Sequence, residues 1–214
     1  MKRLVFIVEG DTEIALIEKL IIPYLLGKGY SNHMHAQTII TNRKQHKKGG
    51  VGRNYGLFRN EVKNTLAQGN VIVTTLIDFF RLPGDFPSYT NNSQNIHIIE
   101  SAIWANFNNH PDFIPYIQRH ELEALMFSSM EGFRLVIDQE EKLTKIQAII
   151  DKFINPEDIN NLPETAPSKR LEQIYNYDKK ADGEMIFEMI GIDSILAKCP
   201  RFREWITKIE VSLK

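Results

Sequence analysis

The sequence has one cysteine, Cys199, in 214 residues. No internal disulfide can form, and no Cys/His quartet offers a zinc site. No apolar run approaches the ~20 residues a membrane-spanning helix needs. The apolar stretch near the N-terminus is shorter than a signal-peptide core and meets acids at once. A soluble, cytoplasmic protein without a membrane partner is the expectation. An excess of charge is missing too: Lys+Arg 26 against Asp+Glu 27 leaves a net charge of −1, so any nucleic-acid surface must be local. The glycines at 49, 50 and 52 are not followed by Gly-Lys-Ser/Thr, which excludes a Walker loop. Internal repeats and low-complexity segments are absent as well.

What remains is an ordinary globular composition, 43% hydrophobic and 25% charged, at a length that suits one α/β domain with an appendage. Leu4 to Val8 is a short apolar run rich in β-branched residues, as expected of a strand buried on both faces. Helical spacing follows from about Thr12 to Leu26, ended by Gly27 and Gly29. Further strands are predicted around Ala36–Thr41, over Val71–Ile77 and from Phe113 to Gln118, with helices from about Phe58 to Gln68 and Gln94 to Asn106. This alternation predicts a mostly parallel sheet flanked by helices. From Glu131 onward the pattern is mainly helical. The expected division is an α/β domain over 1–130 with a helical C-terminal extension over 131–214 packing on it.

Acids gather where the strands end. Glu9 closes the first strand, with Asp11 and Glu13 in the turn beyond it, and Asp78 closes the strongest strand. Glu121 and Glu123 follow the fourth. In an open parallel sheet, ligands bind beyond the carboxyl ends of the strands, and acids crowded there repel unless a cation or a proton neutralises them. A hard divalent ion, Mg2+ or Mn2+, is the expected partner, with Glu9, Glu13 and Asp78 as metal ligands. Carboxylate-bound metal can activate an attacking oxygen and stabilise a leaving one, which is what phosphodiester chemistry needs. Strand-end acids also serve simply to cap the next helix. Positions i and i+2 on a helix point apart, so Glu121 and Glu123 share one site only if their helix starts late.

Two basic stretches complement the acids. Arg43, Lys44, Lys47, Lys48 and Arg53 lie in a glycine-rich segment without acids, suited either to a phosphate backbone or to plain solvent exposure. Later, Lys169, Arg170 and Lys179 could reach back to offset charge on a phosphate, although from spacing alone surface charge flanking two helices explains them better. The six histidines show no metal-binding spacing on a helix.

Val8-Glu9-Gly10-Asp11-Thr12-Glu13 together with Leu76-Ile77-Asp78 resembles a Toprim domain, the metal-dependent α/β module of topoisomerases, bacterial primases and related nucleases. More narrowly, the chain is similar to small stand-alone Toprim-like bacterial proteins. Their pattern corresponds here to Asp78-Phe79-Phe80-Arg81-Leu82-Pro83, to His120–Leu125 and to Pro167–Gly183. The resemblance implies a magnesium-dependent nuclease. Glu9 and Glu13 would be the first-strand acids and Asp78 the first Asp of an Asp-x-Asp motif, with Glu121, Glu123 and Lys179 as further catalytic groups. It also implies an ATPase partner and a part in phage defence. The second motif Asp is replaced by Phe80, which is the feature favouring the alternative of a catalytically inert subunit that regulates a partner.

Overall fold

The computed structural model describes residues 1–42, 47–48, 54–80, 82–160 and 163–214. In chain order it runs β1 (Arg3–Val8), α1 (Asp11–Leu16), a π-helical turn (Ile17–Ile21), α2 (Ile22–Gly27), β2 (Met34–Thr38), β3 (Ile40–Asn42), β4 (Lys47–Lys48), α3 (Tyr55–Leu66), β5 (Val71–Asp78), α4 (Ile96–Asn106), β6 (Phe113–Ile114) and β7 (Ile117–Gln118). Helices α5 (Glu131–Val136), α6 (Glu140–Lys152), α7 (Pro167–Ile174), α8 (Ala181–Lys198) and α9 (Pro200–Leu213) complete it. Five strands form one sheet in the order β2-β1-β5-β6, with β7 also on β5, and every pairing in it is parallel. The fold is α/β with a helical C-terminal part. A separate antiparallel ribbon joins β3 to β4.

The two central strands are buried on both faces because both faces are covered. Leu4, Phe6 and Val8 point to the layer that holds the first helix and the C-terminal helices. Val5, Ile7, Val73 and Ile77 point to the other layer, against Phe58 and Val62 of α3 and Ile99 and Ile103 of α4. That period-2 split of an unbroken apolar run is what a parallel sheet between two helical layers requires. The C-terminal part belongs to the same core. Trp205 of α9 meets Phe6 edge-on at 6.1 Å, stacks on Tyr116 at 4.5 Å, and donates its indole N–H to Thr74 Oγ1 at 2.7 Å.

Two expectations change in detail. The helix expected over 12–26 is continuous but contains the π turn at Ile17–Ile21. The strand expected over 113–118 is broken in two at Pro115, which has no N–H to give a ladder. Side chains of β5 bridge the gap: Thr74 Oγ1 donates to Ile114 O at 2.8 Å, and Thr75 Oγ1 exchanges bonds of 2.9 Å with Tyr116 N and O. The outer side of β7 is finished by an ion pair. Glu100 accepts the Ile117 N–H at 2.8 Å and Arg201 Nη2 at 2.8 Å, while Arg201 also donates to Ile117 O at 3.3 Å.

Helices α5 and α8 cross at Gly132, where a Cβ would stand 2.7 Å from Ile186 O and 2.8 Å from its Cγ2. Backbone cannot yield there as a flexible side chain can. Gly132→Ala should therefore destabilise the chain by about 1–3 kcal/mol in urea unfolding. An unchanged midpoint would refute this close crossing.

Candidate metal centre

The parallel register decides where the strand-end acids go. Val8 lies opposite Leu76, so Glu9 emerges level with the end of β5 and its terminal Asp78. On the other flank, Asp78 pairs with Gln118, and the backbone continues in step: Phe79 N–H bonds Gln118 O and Phe80 N–H bonds His120 O. Three adjacent strand ends therefore open on one edge. A short 3-10 helix over Leu122–Ser128 then carries Glu123 inward, fully buried. Glu13, one turn into the first helix, is buried and has Oε2 folded towards Gly10, where a Cβ would come within 3.3 Å.

These groups act on one another. Burial, followed by the charges of Glu13, Glu9 and Glu123, pushes the Asp78 carboxyl well above the usual carboxylate range, against the opposing pull of Lys179. Burial likewise raises Glu13, again offset in part by Lys179. The Lys179 ammonium lies 3.0 Å from Glu123 Oε1. Burial alone would lower its pKa, but Glu123, Asp78 and Glu13 together hold it above the ordinary lysine value. Among the described residues Asp78 Oδ1 and both Glu123 oxygens are buried without a well-directed hydrogen bond, so Lys179 meets Glu123 as an ion pair rather than as an aligned donor. The sequence-derived set Glu9, Glu13, Asp78, Glu123 and Lys179 is thus electrostatically coupled through one centre.

A family model described as Domain of unknown function (DUF4276) matches residues 8–210. The chain belongs to that family. No curated protein matches the chain, and no solved structure does.

Within this DUF4276 chain the remaining predicted residues divide differently. Glu121 is extended, just ahead of the 3-10 helix, and its two oxygens accept Ser168 N at 3.0 Å and Ser168 Oγ at 3.1 Å. It caps the start of α7 from a distant point in the chain, while burial raises its pKa despite those bonds. Lys169 pairs with Glu172 at 2.5 Å along the exposed face of its own helix, and Arg170 donates to Thr165 O with its guanidinium over the Phe153 ring. Both are engaged by those partners. Lys47 and Lys48 form β4, whereas Arg43, Lys44 and Arg53 lie outside the described residues.

A hard oxygen-seeking cation suits the donor chemistry of this DUF4276 edge. The acids at this edge are all carboxylates, and among the described residues buried oxygens on Asp78 and Glu123 accept no well-directed hydrogen bond. Among the described residues no three acidic, histidine or cysteine side chains are already assembled around a point fit to hold a metal ion. In the described arrangement Lys179 supplies the nearest compensating charge.

Sequence reasoning passed over what lies beside the acids. A cavity of about 1020 Å3 is walled by the residues that follow β5 and β7, by the segment before α4 and by the segment after α6. The run Tyr89-Thr90-Asn91-Asn92-Ser93-Gln94 was the available signal, a dense block of amides that resembles any polar loop. The Tyr177 hydroxyl also faces Glu123, and its own pKa is raised chiefly by burial and then by that acid.

Proposed function

We propose that this chain is a metal-dependent nuclease that hydrolyses phosphodiester bonds in DNA or RNA. The observation that carries the reading is the coupling of Glu9, Glu13 and Glu123 to a half-buried Asp78 whose Oδ1 is enclosed, with Lys179 reaching in among them. Glu9, Glu13 and Asp78 would hold magnesium or manganese, which when bound supplies Lewis-acid charge and a more acidic water. Glu123, oriented by Lys179, would complete the shell or align the attacking water. The Lys179 side chain is half exposed and its ammonium is held protonated. It is placed to exchange Glu123 for a phosphate oxygen and offset the charge that develops there. Glu121 acts through α7, keeping that segment against the edge. The basic segment with Arg43, Lys44, Lys47, Lys48 and Arg53, and the Lys169–Arg170 pair, would contact the nucleic-acid backbone.

Titration with MgCl2 or MnCl2 in EDTA-stripped buffer tests the site directly. Metal binding to the folded chain alone stabilises it by about 2.7 kcal/mol at a hundredfold excess over Kd, a rise of roughly 5–10 °C in Tm for a chain this long. A flat Tm across the titration removes the metal and with it the nuclease.

A second reading has its own observation. The Lys179–Glu123 ion pair supplies a cation from within the chain, and Phe80 stands where Toprim-like proteins carry a second Asp. On that reading the chain is a catalytically inert subunit that binds and regulates a partner, and Asp78→Asn changes nothing in a metal titration. An ATPase partner and a role in phage defence are supported, in either reading, by the Toprim-like resemblance alone.

A further inference from the structure

The cavity beside the carboxylates has walls of a definite chemistry. Phe79, Phe80 and Tyr89 supply aromatic faces, Phe153, whose ring already carries the Arg170 guanidinium, adds to the wall, and between them stand Asn91, Asn92 and Asn155. Each of these three amides has its oxygen already committed. Asn91 Oδ1 accepts the Tyr89 hydroxyl at 2.5 Å, Asn92 Oδ1 accepts Gln94 N at 3.0 Å, and Asn155 Oδ1 accepts Glu157 N at 2.9 Å. Their NH2 ends make no hydrogen bond among the described residues, so the pocket offers preoriented donors to a ligand that brings acceptors.

Charge in the lining is nearly cancelled. Arg119 is paired with Asp158, and burial holds His120 neutral by lowering its pKa to about 4. A phosphate or carboxylate would find no free cation here among the described residues. A flat, uncharged ring bearing carbonyl oxygens and ring nitrogens would find aromatic faces to stack on and N–H donors at its edge. The place matters equally. Phe79 and Phe80 directly follow Asp78, and Arg119 and His120 directly precede Glu121, so pocket and carboxylates share one edge of the sheet.

We propose that this cavity is a nucleobase-binding subsite, in which one base of the nucleic acid stacks on the aromatic walls and accepts hydrogen bonds from the asparagine amides. The proposal deepens the nuclease reading and rests on it for the choice of a base over another polar ring. It also accounts for Phe80, since the position that lacks the second acid is a wall of the pocket.

The test uses the full chain in EDTA, so that the metal centre plays no part. Adenosine, guanosine, cytidine and uridine are titrated separately and followed by ligand-observed NMR and calorimetry, with ribose as the sugar control. At least one nucleoside is expected to bind saturably with a Kd of about 1 mM or tighter, while ribose does not. Asn91→Asp replaces an exposed amide donor by an acceptor, and Phe80→Leu keeps apolar bulk but removes the stacking face. Either should weaken that binding about tenfold or more with Tm preserved. Absence of saturable binding by all four nucleosides overturns the subsite, as does equal affinity in both folded variants or ribose binding as tightly as its nucleosides. Nucleoside binding by a chain that cleaves nothing in magnesium leaves the subsite standing and removes the nuclease. Cleavage without nucleoside binding does the reverse.

Discussion

Glu9→Ala is expected to lower magnesium-dependent cleavage of a mixed DNA or RNA substrate by about 100-fold or more, with Tm in EDTA moved by no more than about 2 °C. The two halves of that result come from different facts. Glu9 stands just past the last residue of β1 and is only half-buried, so its removal leaves the apolar run from Leu4 to Val8 intact. Yet its charge is felt at Asp78 across the strand end, so its removal takes one acid from the proposed metal set. Gel-based cleavage assays and differential scanning calorimetry on the same preparation measure both. Wild-type cleavage in the variant would remove Glu9 from the site.

Asp78→Asn should make the metal-free chain more stable and the metal-loaded chain inactive. Asp78 is held above the usual carboxylate range by burial and by three neighbouring acids, so the fold bears a cost whenever that carboxyl is ionised. The amide keeps the shape and discards the charge. Removing an incompletely compensated buried charge is worth about 1–3 kcal/mol, or roughly 2–10 °C of Tm. The pH dependence has a definite sign. A raised folded-state pKa means the folded chain takes up a proton before the unfolded chain does. Wild type therefore gains stability relative to the variant as pH falls through that raised value towards the ordinary aspartate pKa of about 3.9. The advantage of asparagine should be largest above the raised value, where the carboxyl is ionised, and fade on acidification. The same substitution should abolish the rise of Tm on adding magnesium. A variant less stable than wild type in EDTA at pH 7 would mean that attraction to Lys179 outweighs the repulsion among the acids.

The layers of the fold were legible because the chain writes them in two unambiguous periods. An unbroken β-branched run at Leu4–Val8 and another at Val71–Ile77 leave little choice but strands covered on both sides. The broken edge strand was harder to foresee: Phe113–Gln118 is apolar enough for one strand, and only the threonine hydroxyls of a distant strand reveal how the break at Pro115 is bridged. The candidate site was legible to the same extent as the sheet. Glu9 and Asp78 meet because their strands are neighbours in parallel register, a relation that strand-end acids hint at. Glu123 and Lys179 form an ion pair that the sequence does not signal, because it depends on where a 3-10 helix begins and how the segment before α8 returns to the sheet. Glu121 illustrates the ambiguity of acid positions: it does cap a helix, though one 47 residues further along the chain. The amide-lined cavity was not legible, since its walls come from four separate segments and no local period marks them.

The Glu100–Arg201 pair on the outer side of β7 has a consequence for solubility. A terminal strand normally presents bare amide and carbonyl groups that a second molecule can zip onto. At Ile117 both of those groups are already bonded, one to a carboxylate and one to a guanidinium, so a foreign strand finds no free group at this residue. Two side chains stand in at this position for a neighbouring strand.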